Sequence, residues 1–110
     1  MKIALLHLDV AEGPETRNRR SILSAAGEAV SRGADWIVTP ETALQGYFFH
    51  DNNGKLPSFS EKQLSRYLLF AGRNKADMFL SAAEYDERDG KGYNSCFVIN
   101  REGEFLGKHT

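Results

Sequence analysis

The sequence predicts an α/β fold built on a mixed sheet. Residues 3–10 are apolar on both alternating faces, which is typical of a strand covered on both sides. Apolar residues then recur at helical spacing between residues 22 and 30, and residues 34–39 return as a short apolar strand, completing a β-α-β unit. Residues 77–83 and 93–100 flank the polar turn segment 85–92, with the spacing of an antiparallel hairpin.

Two helices are expected between these strands. Pro14 fits the first turn of one helix, with Glu15 near its positive end and Gly33 as its stop. Ser60 and Gln63 have the spacing of a capping box that starts the second helix. The expected outer face of the first helix is a solvated surface that carries Arg17, Arg19, Arg20, Glu28 and Arg32. The expected buried stripe of the second contains Leu64, Tyr67, Leu68 and Ala71, and Phe59 and Leu64 are spaced as a hydrophobic staple.

Composition narrows the classes of function. The 110 residues include 14 Lys and Arg against 15 Asp and Glu, and a net charge of -1 gives no reason to expect nucleic acid or an anionic membrane surface. No apolar run reaches the roughly 18 residues that span a bilayer, and we interpret residues 3–10 as a strand, not a signal peptide. A single cysteine cannot form an internal disulfide. A cytoplasmic protein is expected.

Glu41 is the first candidate for chemistry. It lies just past the apolar strand 34–39, after Pro40, and precedes the long loop of residues 43–59, which is rich in aromatics and turn residues. Ligand crevices of open α/β sheets form at the carboxyl ends of strands, so this carboxylate has the right place for a general base. A capping or ion-pairing acid is the alternative.

Other chemistries have little support in the chain. Cys96 lies within an expected strand, where a cysteine usually behaves as a small inert apolar residue. His7, His50 and His109 are scattered without the spacing of a zinc site, and His7 with Asp9 is expected as a hydrogen-bonded pair in or near the core. The glycine pairs match neither a P-loop nor a dinucleotide fingerprint. We therefore expect neither a cofactor nor a metal.

An ordered series of motifs resembles the amino-terminal part of the nitrilase superfamily, the carbon-nitrogen hydrolases. The series comprises the first strand, Asn18, residues 32–41, residues 46–47, Glu84, residues 93–95 and residues 103–107. The resemblance implies part of a four-layer αββα sandwich with a mixed sheet. It also implies a Glu-Lys-Cys triad acting on an amide or nitrile, with Glu41 as the general base.

The departures from the family pattern matter as much as the match. The family's lysine falls one place beyond Thr110, not at Lys108, and its cysteine comes later still, so Cys96 does not match it. His7 stands where the family usually has glutamine, and Thr39 replaces a common aromatic residue. Residues 1–110 are therefore expected to be a partial carbon-nitrogen hydrolase domain, truncated before the catalytic lysine and cysteine and inactive alone.

The resemblance also implies partners and alternatives. The substrate would be a small amide or nitrile, and Tyr47 is a candidate substrate-binding residue, although aromatics beside a sheet often only pack. Half of a sandwich leaves apolar strands uncovered, so homo-oligomerisation or association with the missing carboxyl-terminal part is expected. The alternatives are a non-catalytic α/β interaction module, and an acyltransferase or glutamine amidotransferase of the same superfamily.

Overall fold

The computed structural model describes residues 1–11, 15–46, 60–86 and 88–110. Five strands of the described residues form one sheet in chain order; the first three are parallel, and the fourth and fifth each pair antiparallel with the strand before them. The predicted mixed α/β sheet is confirmed. The elements in chain order are β1 (Ile3–Leu5), α1 (Glu15–Ser31), β2 (Trp36–Val38), α2 (Glu61–Asn74), β3 (Asp77–Asp86), β4 (Lys91–Ile99) and β5 (Phe105–His109).

The core lies between one face of the sheet and the two helices. The strand register places Ala4, Ile37, Met78 and Ile99 side by side in one row, and the last three are fully buried. The helices pack onto this face with the fully buried side chains Ile22, Ala26, Tyr67 and Ala71. Because alternate residues of a strand point to opposite faces, the remaining strand residues point away from the helices.

The opposite face of the sheet, which we call the open face, has no second layer in the described residues. Ile3 and Leu5 are 50% and 67% exposed, and the rings of Trp36 and Phe79 contact each other in a tilted arrangement, with centroids 5.1 Å apart. The prediction of a first strand over residues 3–10, covered on both sides, is therefore wrong for this chain. The ladder to β2 is only three residues long, and both helices lie on one side.

The start of α1 is anchored by a buried acid. Glu15 forms an ion pair with Arg19 and accepts a 3.3 Å hydrogen bond from the Tyr67 hydroxyl of α2. The Arg19 side chain, expected on the solvated face, is only 14% exposed, because it forms an ion pair with Glu15 on the preceding helical turn. Gly33, at φ +89°, confirms the predicted stop. Pro14 lies outside the described residues.

The capping box of α2 is confirmed. The Ser60 amide donates to Gln63 Oε1 at 2.8 Å, and the Gln63 amide donates to Ser60 Oγ at 3.2 Å. In the predicted stripe, Tyr67 and Ala71 are buried, and Leu64 and Leu68 pack partly buried against the core. Phe59 of the proposed staple lies outside the described residues.

The antiparallel hairpin is confirmed and is longer than predicted. β3 and β4 pair from Met78 with Ile99 to Asp86 with Lys91, so both ends of the segment interpreted as a polar turn, residues 85–86 and 91–92, are strand and residues 88–90 form the turn. Backbone pairing along the ladder outweighs the weak strand propensity of its polar residues. Within the part of the chain that the structure describes, no helix is long and apolar enough to cross a membrane.

Candidate active site

Glu41 lies just beyond the carboxyl end of β2, where the parallel pairing of β2 with β1 and β3 ends and β3 continues alongside β4. Its side chain is exposed. An open depression of about 540 Å³ adjoins this segment and is lined by Pro40 and residues 6–9. The carboxylate is therefore accessible at the edge where open α/β sheets bind ligands.

The backbone around Glu41 is fixed to β3 by side chains. Thr39 Oγ1 accepts the Ser81 amide at 2.9 Å, and Ser81 Oγ accepts the Thr42 amide at 2.8 Å. Further along, the Gln45 side chain makes two hydrogen bonds to the backbone of β3. Its Nε2 donates to the Ala83 carbonyl, and its Oε1 accepts from the Ala83 amide, both at 2.9 Å. These bonds hold the turn on both sides of Glu41, so the acid stands on a rigid support.

The residue after the acid is strained. Thr42 has φ +49°, a left-handed conformation that is unusual for a β-branched residue. It is 1% exposed, and its Oγ1 has no hydrogen-bond partner among the described residues. The following residues Ala43 and Leu44 are fully buried, so the part of the predicted loop that the structure describes is a packed turn. Strain and unsatisfied polar groups of this kind collect at functional sites.

The Glu41 carboxylate contacts a residue of β4. Asn94 Nδ2 donates a hydrogen bond to Glu41 Oε1, and Asn94 Oδ1 in turn receives a long, 3.5 Å hydrogen bond from Ser81 Oγ. Ser81 and Asn94 both project from the open face. The sequence motifs include Asn94 within residues 93–95, but they predict no role at this site for Asn94 or Ser81. Strand alternation could have put Asn94 on this face, but only the sheet register brings it to Glu41.

A family model described as carbon-nitrogen hydrolase matches residues 2–110. The chain belongs to the carbon-nitrogen hydrolase family. It is 30% identical to omega-amidase NIT2 of Mus musculus over 112 aligned residues, which cover 98% of this chain and 38% of that relative. The Bos taurus omega-amidase NIT2 is 29% identical over the same coverage. The chain thus spans 38% of the length of these curated relatives.

Solved structures of the nitrilase superfamily share the fold. Nit3 of Saccharomyces cerevisiae superposes with a TM-score of 0.83 at 19% identity, over 99% of this chain and 43% of its own. The amidase of Nesterenkonia sp. AN1 superposes with a TM-score of 0.82 at 22% identity, over 100% of this chain and 43% of its own. The α/β architecture of this carbon-nitrogen hydrolase chain is therefore that of the nitrilase superfamily.

The structure does not place the other candidate residues of this carbon-nitrogen hydrolase chain next to Glu41 in a reactive form. Cys96 is half-buried in β4, and burial raises the pKa of its thiol, which favours the unreactive protonated form. The expected core pair of His7 and Asp9 is wrong, because both side chains are exposed in the segment after β1. Tyr47 and His50 lie outside the described residues, and His109 is exposed at the end of β5.

A second polar cluster lies on the helix-covered face of the sheet. Lys108 Nζ contacts both carboxylate oxygens of Glu84 at 2.9 Å, and Ser95 Oγ donates to the same carboxylate at 2.8 Å. Glu84 and Lys108 line a cavity of about 440 Å³. Lys108 pairs in register with Phe97, whose side chain points away from the open face, so Lys108 and Glu41 lie on opposite faces.

The described ranges 1–11, 15–46, 60–86 and 88–110 contain no candidate metal site. Within them, no group of three or more His, Cys, Asp and Glu side chains is placed to hold an ion. The polar groups at the carboxyl edge of the parallel strands are instead a carboxylate, an amide and hydroxyls. This set can accept a proton and orient it by hydrogen bonds.

Proposed function

We propose that residues 1–110 are a partial carbon-nitrogen hydrolase domain, and that Glu41 is the general base of a Glu-Lys-Cys triad whose lysine and cysteine lie beyond Thr110. The observation that carries the proposal is the rigidly supported Glu41 at the carboxyl edge of the parallel strands. The two curated relatives are named omega-amidases, which supports hydrolysis of an amide.

The strand register supports the position of the lysine. Cys96 pairs with His109, and the hydroxyls of Ser95 and Thr110 lie 3.2 Å apart. If β5 continues by one residue, that next residue lies opposite Asn94, with Cα atoms about 5 Å apart. Its side chain then points to the open face, where Asn94 contacts Glu41. A lysine at that position would reach the carboxylate, as the family resemblance implies.

The proposed reaction follows from this arrangement. The Glu41 carboxylate accepts the proton of the cysteine thiol, and the sulfur attacks the carbonyl carbon of the amide. The lysine ammonium stabilises the negative oxygen of the tetrahedral intermediate. Glu41 then returns the proton to the leaving amine, and water releases the carboxylic acid from the thioester. With a nitrile, the thiol would add to the carbon to give a thioimidate, and one water would then release ammonia from it to give the same thioester.

Substrate and partners complete the proposal. The substrate is a small amide or nitrile, and Tyr47, which follows the buried turn after Glu41, is the proposed substrate-binding residue. The apolar open face, with Ile3 and Leu5 largely exposed and Trp36 and Phe79 partly exposed, supports either self-association or association with the remaining part of the domain. We place the protein in the cytoplasm, without a nucleic acid or membrane partner.

The test uses the product of the complete gene and measures ammonia release from small amides. Glu41→Gln should lower kcat by about 10²- to 10⁴-fold, the usual contribution of a general base. Glu102→Gln, a substitution of the same chemistry at an exposed turn, should leave turnover unchanged. A Glu41→Gln enzyme with the parent kcat would refute the assignment.

The isolated 110 residues should release no ammonia from the same substrates, because two of the three proposed triad members are absent. Turnover by this chain that is lost on Glu41→Gln would contradict the proposed partial domain.

A further inference from the structure

The geometry points to Asn94 and Ser81 as positioning residues that fix the orientation of the Glu41 carboxylate for proton transfer. This inference rests on the function proposed above, and extends it to two residues outside the Glu-Lys-Cys triad. Neither side chain needs to touch the substrate. Their role is to set the direction from which the carboxylate accepts a proton.

The hydrogen bonds run in one direction. The backbone amide of Thr42 can only donate, and it donates to Ser81 Oγ at 2.8 Å. The Ser81 hydroxyl proton is therefore directed elsewhere, and the contact it makes is with Asn94 Oδ1 at 3.5 Å. This fixes the amide of Asn94 with its oxygen toward Ser81 and its NH₂ group toward Glu41, where Nδ2 donates to Oε1.

The hydrogen bond from Asn94 restricts the last side-chain torsion of Glu41. The last side-chain torsion of a glutamate is broad and roughly two-fold, so an unanchored carboxylate samples many orientations. A bond from a neutral amide to Oε1 restricts that torsion without adding charge. The four groups form a closed circuit, because Thr42 is the next residue after Glu41. The strained turn and the carboxylate are thus held against the same two strands, β3 and β4.

The exposure of the carboxylate limits the size of the effect. Glu41 and Asn94 are both exposed in this chain, so water competes for their hydrogen bond. Proton transfer needs accurate placement of donor and acceptor, and small misplacements cost up to about a hundredfold in rate. We therefore expect Asn94 to act on kcat and to have little influence on substrate affinity.

The kinetic test uses the complete gene product. Asn94→Ala and Ser81→Ala should each lower kcat by about tenfold to a hundredfold, with KM changed by less than about twofold. Asn94→Asp keeps the shape but replaces the donor by a second carboxylate, and should lose at least as much as Asn94→Ala. The control is Ser65→Ala, which removes an exposed hydroxyl of α2 whose hydrogen bond to the Lys62 carbonyl stays within that helix. A parent-like kcat in Asn94→Ala would overturn the inference.

A second measurement does not depend on turnover. In the same protein with ¹⁵N-labelled asparagine side chains, the Asn94 amide resonance should shift as Glu41 takes up a proton on acidification. Glu41→Gln should remove that step, and a step that persists in this variant would overturn the inference. If the step behaves as expected but Glu41→Gln leaves turnover intact, the proposed function is wrong while the positioning contact stands.

Discussion

Thr39 and Thr42 flank Glu41, and the same substitution should have opposite effects at the two positions. Thr39 Oγ1 accepts the Ser81 amide at 2.9 Å, whereas the buried Oγ1 of Thr42 has no partner among the described residues. Both side chains are buried, at 8% and 1% exposed. Replacing either residue by valine keeps the branched shape and removes only the hydroxyl, so the comparison isolates the hydrogen bond.

The magnitudes follow from the two environments. Thr39→Val leaves the Ser81 amide without its acceptor, which should lower the free energy of unfolding by about 1–3 kcal/mol. Thr42→Val removes a hydroxyl that was desolvated without compensation, and should raise the free energy of unfolding by about 1 kcal/mol. The left-handed backbone at this position strains threonine and valine alike, so it drops out of the difference.

The measurement is urea unfolding of both variants and the parent, followed by circular dichroism at several protein concentrations to account for self-association. The midpoints should move in opposite directions at constant slope. In thermal unfolding, each kcal/mol corresponds to about 4–8 °C for a domain of this size. A Thr42→Val variant destabilised as strongly as Thr39→Val would show that the Thr42 hydroxyl has a partner, and would refute the reasoning.

Two further predictions concern the helices. Gly103, which packs against α2, has φ +81°, and a Cβ there would lie 2.7 Å from the Leu68 carbonyl oxygen, so Gly103→Ala should strongly lower the free energy of unfolding. Gly27 in α1 has open space around it, so Gly27→Ala should raise the free energy of unfolding by about 1 kcal/mol in the same assay. Equal effects of the two substitutions would contradict this. Burial, followed by the charge and hydrogen bond of Glu15, raises the pKa of Tyr67 above its ordinary value of 10.0. The unfolded chain then loses this proton first, so stability should fall as the pH rises above about 10, and Tyr67→Phe should flatten that fall in urea midpoints measured against pH.

Much of the fold could be predicted because its signals are local. The capping box at Ser60 uses atoms three residues apart, and the stop at Gly33 needs only one backbone conformation. The short polar segment between two apolar runs likewise predicted β3 and β4 as an antiparallel pair. The first strand was predicted to be longer and more deeply buried than it is. An apolar pattern on both faces indicates that both faces favour burial, but it does not show which element packs against each face.

The candidate site was only partly predictable. Glu41 stood out because it lies just past the end of a strand, and its position beyond the carboxyl end of β2 agrees with that prediction. The contacts around it are made by Ser81 and Asn94, which are 40 and 53 residues away along the chain. No spacing rule connects such residues. Similarly, the pairing of Glu84 with Lys108 depends on three adjacent strands and could not be inferred from either residue.

By itself, the sequence determined the elements, the family pattern and the acid at the strand end, because each depends on neighbours within a few residues. The tertiary structure decided which face of the sheet the helices cover, that Asn94 meets Glu41, and that Lys108 points to the other face. The physical reason is the two-residue period of a strand: side chains alternate between faces, and a register shift of one residue exchanges them. Only the paired strands fix that register.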